Sequence, residues 1–214
     1  MKRTLVWDLP TRLFHWSLVV LIIVSFYTGY TGGFREMDIH MLSGYGILAL
    51  VVFRILWGIV GSRNARFASF VRGPGAIVGY LRGTGDASPG HNPLGALSVI
   101  AILVALLVQV TTGLFANDDI MLEGPLTHLI SYDTSRQLTA IHEINRWVIV
   151  ALVVLHLLAI TFYQFVRKAG IIGPMVTGYR NVDDRYADEK NNWVLALVLL
   201  GVSAGLVYCL VNFV

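Results

Sequence analysis

Cysteine is almost absent: the 214-residue chain holds one, Cys209. A single thiol excludes an internal disulfide, and neither C-x-x-C nor C-x-x-C-H occurs, so covalent c-type haem attachment is ruled out as well. Packing inside the last apolar run is the expected role of Cys209. Charge is the next scarcity. Only 14% of residues are Asp, Glu, Lys or Arg, against about 25% in a soluble globular domain. The pI near 9.1 would suit a nucleic-acid partner, but a basic tract and an aromatic-interleaved basic patch are both missing, so nucleic acid is excluded as the expected ligand. Internal repeats and low-complexity tracts are missing too.

Apolar sequence fills the space that charge leaves. The chain is 56% hydrophobic with a mean hydropathy of +0.68. Five runs approach the ~20 residues that cross a bilayer as a helix: roughly 11–30, 40–61, 93–115, 138–166 and 192–214. Backbone in lipid must satisfy its own hydrogen bonds, which helices of this length do. The expected fold class is an all-α transmembrane bundle embedded in the lipid bilayer. The first run resembles a secretory signal peptide but continues to about Tyr30 without an A-x-A-like site, and reads as an uncleaved first span.

Orientation follows from the basic residues. Of the 16 Lys and Arg, twelve lie in connections on one side, among them Lys2, Arg3, Arg63, Arg167 and Lys168. Only Arg35 and Arg136 lie on the other, and Arg54 and Arg146 lie inside spans. The positive-inside rule then places the N-terminus in the cytoplasm and the C-terminus outside. The outer connections also carry six acidic residues, including Asp118, Asp119 and Glu123. The inner connection 62–90 is Gly-rich with an interfacial turn expected near 76–81. Residues 169–191 read as a polar linker that sets the fifth helix slightly apart. The expected organisation is a core over 1–168, a cytoplasmic linker over 169–191 and a fifth transmembrane helix over 192–214. The tryptophans near span ends read as an aromatic belt.

Ionisable groups in hydrocarbon are expensive and mark function. The fourth run holds four of them: His142, Glu143, Arg146 and His156. His142 and His156 are 14 residues apart, which leaves them within ~40° of one helix face and about 21 Å apart along the axis. The first span runs outward, so His15 lies at the inner level; the second runs inward, so His40 lies at the outer level. His15 therefore matches the depth of His156, and His40 that of His142. Opposed neutral imidazoles suit the two axial positions of a planar iron porphyrin in a four-helix core, and two such sites would form an electron wire. A generic metal site would instead converge three or four ligands.

Arg54, 14 residues from His40, lies on the same face at the inner level and could meet a propionate, or could snorkel to the interface. Arg146 could serve the outer level, or pair with Glu143. Gly44, one turn from His40, and Gly29, 14 residues from His15, either let a macrocycle approach or ease helix packing. His91 could cap the third span, touch a propionate, help bind a quinone, or replace His15 as ligand. His128 reads as an exposed loop residue.

Five stretches together resemble the bacterial di-haem b-type cytochromes, the family of prokaryotic cytochrome b561 and the Ni,Fe-hydrogenase cytochrome b subunit. They are VWDLPTRLFHW, GYGILALVVFRILWGIVGSRNARFASF, GHNPLGALS, HEINRW with the later LH, and MVTGYR, spanning about residues 4–180. The resemblance implies one ligand on each of spans one and two and two on span four, which falls on His15, His40, His142 and His156. It implies two haem b groups, a bacterial inner-membrane location, and electron exchange between a quinone (ubiquinone or menaquinone) and a redox partner. That partner would be a periplasmic c-type cytochrome or an enzyme subunit; a homo-oligomer is also allowed. The fifth span departs from four-helix relatives, which leaves the quinone–superoxide oxidoreductase activity of cytochrome b561 as an alternative. A proton or metal transporter built on the same histidines is a further alternative from another class, and a membrane anchor that passes electrons from a tethered enzyme is a third.

Overall fold

A computed structural model describes residues 2–83, 90–120, 122–183, 189 and 191–214. With the N-terminus at the bottom, strand β1 (Lys2–Leu5) leads into the first spanning helix, α1 (Leu9–Thr31), and α2 (Phe34–Val60) returns. A short α3 (Phe67–Phe70) and α4 (Pro74–Leu81) lie at the lower face. Helix α5 (Pro93–Gly113) rises and α6 (Tyr132–Thr161) descends into a π-helical turn over Phe162–Val166. Helix α7 (Ile172–Thr177), strand β2 (Tyr179–Val182) and the rising α8 (Trp193–Phe213) complete the order.

Helix starts are written in the sequence. The side chains of Asp8, Asn92, Ser131 and Asn192 each accept an amide N–H of the first turn of α1, α5, α6 and α8, which satisfies donors that a helix leaves orphaned. Asn92, and not His91, caps α5. The turn between α1 and α2 is only Gly32 and Gly33, with φ of 67° and 97°, a backbone that side chains disfavour. Helix α2 therefore begins at Phe34, six residues before the expected 40, and α6 begins at Tyr132, six before the expected 138. Both starts are polar, so hydropathy sees only the part that would lie in lipid. The expected turn at 76–81 is the end of α4; residues 84–89 of the Gly-rich connection lie outside the described residues, as do Arg185 and Lys190 of the 169–191 segment.

Helix α2 is the centre, packing against α1, α5 and α8. The shared core runs from Phe14 and Leu18 through Val51 and Trp57 to Leu106, with Ala196 and Val207 of α8 inside it. The fifth helix shares this core, because small residues on α8 let it approach α2. Cys209 points away from that core and is exposed, contrary to the packing role expected for it.

Residues 169–191 are also more than a linker. Strand β2 pairs antiparallel with β1, Leu5 opposite Tyr179 and Lys2 opposite Val182. The Glu189 carboxylate accepts the amides of Arg63 and Asn64 at 2.9 and 3.0 Å, while its own amide donates to Leu5 O. Asn191 accepts the Leu9 amide at 2.8 Å, and Asn64 donates to Val6 O. Burial pushes the Glu189 pKa above its ordinary value of 4.5, against the opposing pull of those amides. A raised folded pKa means that the protonated form is favoured in the fold. This contribution to stability is complete below the ordinary value and is lost as pH rises through the folded one. The melting-temperature advantage of wild type over Glu189→Gln is accordingly expected to be largest near pH 4.5 and to narrow toward neutrality. An advantage that widens with pH would contradict this.

Candidate functional site

Helix α6 is the longest spanning helix, yet only Ser135 and Ile149 of its residues are buried. It packs closely on α5, with no comparable contact to α1 or α2. Asn145 holds that seam by donating to Ala105 O and Gln109 Oε1, both at 2.8 Å. Between α6 and the α1–α2 hairpin lies a cavity of about 400 Å³ in the upper half, lined by His40, Gly44, Ile47, Leu106, His142 and Arg146 among others. That is within the usual range for cofactor pockets, ~300–1,000 Å³.

Across this cavity the His40 and His142 rings lie 6.2 Å apart, centroid to centroid, with planes crossed at 82°. A metal–imidazole bond is about 2 Å and the ring centre lies about 1 Å behind its nitrogen, so two rings on opposite sides of one ion sit about 6 Å apart. The tautomers are set. His40 Nδ1 donates to Ser25 O at 2.8 Å, with Ser25 Oγ at 3.3 Å. His142 Nδ1 donates to Gln109 O at 2.9 Å, with Thr112 Oγ1 at 3.3 Å. With Nδ1 protonated, Nε2 of each ring carries the lone pair a metal needs. A Cβ at Gly29 would sit 2.8 Å from the His40 ring, and one at Gly113 would sit 2.9 Å from the His142 ring. Gly29 thus makes room for the imidazole, and it also lines the cavity. Gly44 lines the cavity with open space beside it, as a flat ligand requires.

At the lower level His15 and His156 are close enough for a charge on one to be felt by the other. His91 also lies within reach of His156 and Arg54, and its ring packs between Trp7 and Phe70 at 4.7 and 4.6 Å. Burial, and after it the Arg54 charge, pushes the His91 pKa down, so this imidazole is neutral. Arg54 does not snorkel. It is 3% exposed, lies over the Phe67 ring at 4.9 Å, and senses the buried Asp8 carboxylate. Asp8 in turn accepts Trp57 Nε1 at 3.2 Å. His15 Nδ1, His91 Nδ1 and Arg54 Nη1 are buried with no hydrogen-bond partner among the described residues. Buried polar groups without partners are rare in a finished protein. An iron porphyrin, with a metal for an imidazole and propionates for a guanidinium, fits this donor set.

Arg146 and Glu143 both line the upper cavity, and Arg146 lies over the Trp147 ring at 5.4 Å. His128 is exposed as expected, though it also meets Val214 O at 3.1 Å. Beneath the lower histidines, Asn92 donates to Tyr80 Oη, which is 2.9 Å from Tyr163 Oη on the π-helical turn. Burial and this contact push the Tyr80 phenol up to about 12, so it stays a proton donor. Sequence reasoning missed Gly113, Asn145, Ser25 and the two tyrosines. Asn145 alone carried a signal, as an amide within an apolar helix. Among the described residues, no group of three or more His, Cys, Asp or Glu converges on a metal site; His40 and His142 instead face each other as a pair.

Among the described residues, five apolar helices, with the His40 and His142 imidazoles facing one another, have the architecture of a membrane cytochrome b. The chain belongs to the prokaryotic cytochrome b561 family, whose sequence profile matches residues 6–178. It is therefore a multi-pass bacterial membrane protein of electron transfer and a carrier of haem b. It is 24% identical to the probable Ni/Fe-hydrogenase B-type cytochrome subunit of Cupriavidus necator, over 86% of this chain and 89% of that one. The corresponding subunit of Azotobacter vinelandii is also 24% identical, over 86% and 90%. The probable Ni/Fe-hydrogenase 1 B-type cytochrome subunit of Escherichia coli is 22% identical, over 82% and 90%. No solved structure matches the chain.

Proposed function

We propose that the chain carries electrons across the bacterial inner membrane through two haem b groups, between a quinone pool and a redox partner. The upper haem is held by His40 and His142, and the lower by His156 with His15, for which His91 is the rival. The observation that carries this reading is the upper pair, two imidazoles at ligating distance from one point with both tautomers fixed. Haem, when bound, supplies reversible one-electron chemistry. The chain's own residues do the rest. The Nδ1 hydrogen bonds aim the imidazoles, and the apolar lining excludes water. Arg54 below and Arg146 above supply counter-charge for propionates. The lower face carries most of the basic residues and is the cytoplasmic one on that ground.

The relatives are by name subunits of Ni/Fe-hydrogenases, which supports a redox enzyme as partner here. A basic c-type cytochrome is the other candidate, because Asp118 and Glu123 rim the upper cavity and would steer it. Tyr80, Tyr163 and Asn92 form a hydrogen-bonded polar set, with Asn92 next to His91 in the chain, and support a site for ubiquinone or menaquinone at the lower level. A dithionite-reduced minus oxidised spectrum with a pyridine haemochrome assay is expected to give two b haems per chain. A chain purified without haem would end this reading in favour of the transporter. Reduction by a basic cytochrome is expected to slow as salt is raised; a rate indifferent to ionic strength removes the electrostatic docking.

A further inference from the structure

The two upper histidines are held in the same way from two different helices. His40 donates to the carbonyl of Ser25, four residues before Gly29; His142 donates to the carbonyl of Gln109, four residues before Gly113. In an α-helix the carbonyl of residue i accepts the amide of residue i+4, and the Cβ of i+4 leans back toward it. Glycine at i+4 removes that cover. The second lone pair of the carbonyl then becomes reachable by a group from a neighbouring helix, and in both cases the imidazole occupies the place of the missing Cβ. At the lower level the arrangement is different: no hydrogen bond from a described residue reaches the ring of His15 or His156, and His15 Nδ1 is buried without a partner.

We propose that Gly29 and Gly113 are latch positions that make the upper haem site the one of lower reduction potential. The inference rests on the two-haem reading above. A ring that gives its Nδ1 proton to a carbonyl is a more basic, more electron-rich ligand, and ligand basicity is one of the levers by which a protein lowers the potential of its iron. Two latched rings face the upper site and none the lower, so electrons run downhill from the upper face to the lower one. Arg54, buried at the lower level within reach of His91, adds positive charge there and raises the lower potential in the same sense. The latches also fix the ring planes at 82° to each other. Crossed axial imidazoles give a low-spin ferric centre a strongly anisotropic EPR signal with a large leading g value.

The test is a redox titration of the purified, haem-loaded full chain, followed optically and by EPR. His156→Ala retains the upper site alone and His142→Ala the lower site alone, so the two potentials are read separately. The upper site is expected to titrate at the lower potential and to carry the large-g signal. In Gly29→Ala and Gly113→Ala the upper potential is expected to rise and its leading g value to shift, or the upper haem alone to be lost, with the lower site unchanged. Ser25→Ala and Thr112→Val remove only the hydroxyls and leave the carbonyls, so they are expected to shift the upper potential less than the glycine variants do. A haem-loaded chain with the reverse order of potentials overturns the proposal. So do glycine variants that leave the upper potential and EPR signal unmoved, or hydroxyl variants with the larger effect. A chain that binds no haem overturns the two-haem reading and this one with it.

Discussion

His142→Ala is expected to halve the haem content of the purified protein, removing the upper haem and sparing the lower one. His40→Ala should do the same, and His156→Ala should remove only the lower haem. The effect is large because each upper imidazole would do more than ligate an iron. The His142 ring fills the space beside Gly113 and closes a hydrogen bond to Gln109 O. Its loss opens a void in α6–α5 packing and uncovers that carbonyl. Loss of an outer-shell partner alone lowers metal affinity by about 10–100-fold, and loss of a ligand exceeds that. The readout is the pyridine haemochrome ratio per chain, with the reduced spectrum showing which component remains. Simultaneous loss of both haems from a folded variant, or retention of both, sinks the depth assignment. At the lower level, parallel His15→Ala and His91→Ala variants decide the second ligand, since only one should release the haem.

The second large effect is expected at Arg54. Its guanidinium is buried over the Phe67 ring and feels the Asp8 carboxylate, with Nη1 facing no acceptor among the described residues. Removing a buried positive charge leaves the buried Asp8 carboxylate with less compensation, which destabilises the fold. Arg54→Leu should therefore lower the melting temperature in detergent and weaken retention of the lower haem. It should also lower that haem's potential, since a positive charge that disfavours the ferric state has gone. Asp8→Asn in the same chain should recover part of the melting temperature, because the two sites share one interaction. The potential decides between roles. If Arg54 serves Asp8 alone, Arg54→Leu destabilises the protein while the lower haem titrates unchanged.

The course of the spans was legible in the sequence because hydropathy and topology signal independently: long apolar runs mark the helices and Lys and Arg mark one face. The pairing of His40 with His142 was legible because a 14-residue spacing on α6 and the direction of α2 fix depth without any contact information. What was hidden depends on neighbours from distant parts of the chain. Gly113 is one of 21 glycines, and nothing local distinguishes the one whose missing Cβ admits a histidine 29 positions further on. Four-residue strands such as KRTL and YRNV lie below any periodicity threshold, and their partnership joins the N-terminus to the segment that precedes α8. Glu189 read as one charge in a polar segment; burial against Leu5 and Asn64 turns it into a clasp. The starts of α2 and α6 were misplaced for a related reason: FREMDI and YDTSRQ are good helix above the membrane but poor lipid-spanning sequence.

The ladder between β1 and β2 has a consequence for synthesis. Leu5 cannot find Tyr179 until 174 more residues have been made, which at about 5–20 residues per second takes roughly 9–35 s. Four helices enter the membrane in that time while the first strand waits with its backbone unpaired. The lower face therefore closes last, when β2 and then Glu189 and Asn191 arrive together, and α8 follows directly. Insertion proceeds span by span, but the seal beneath the lower histidines is a late and single event, and a ribosome that stalls before residue 179 leaves that face open.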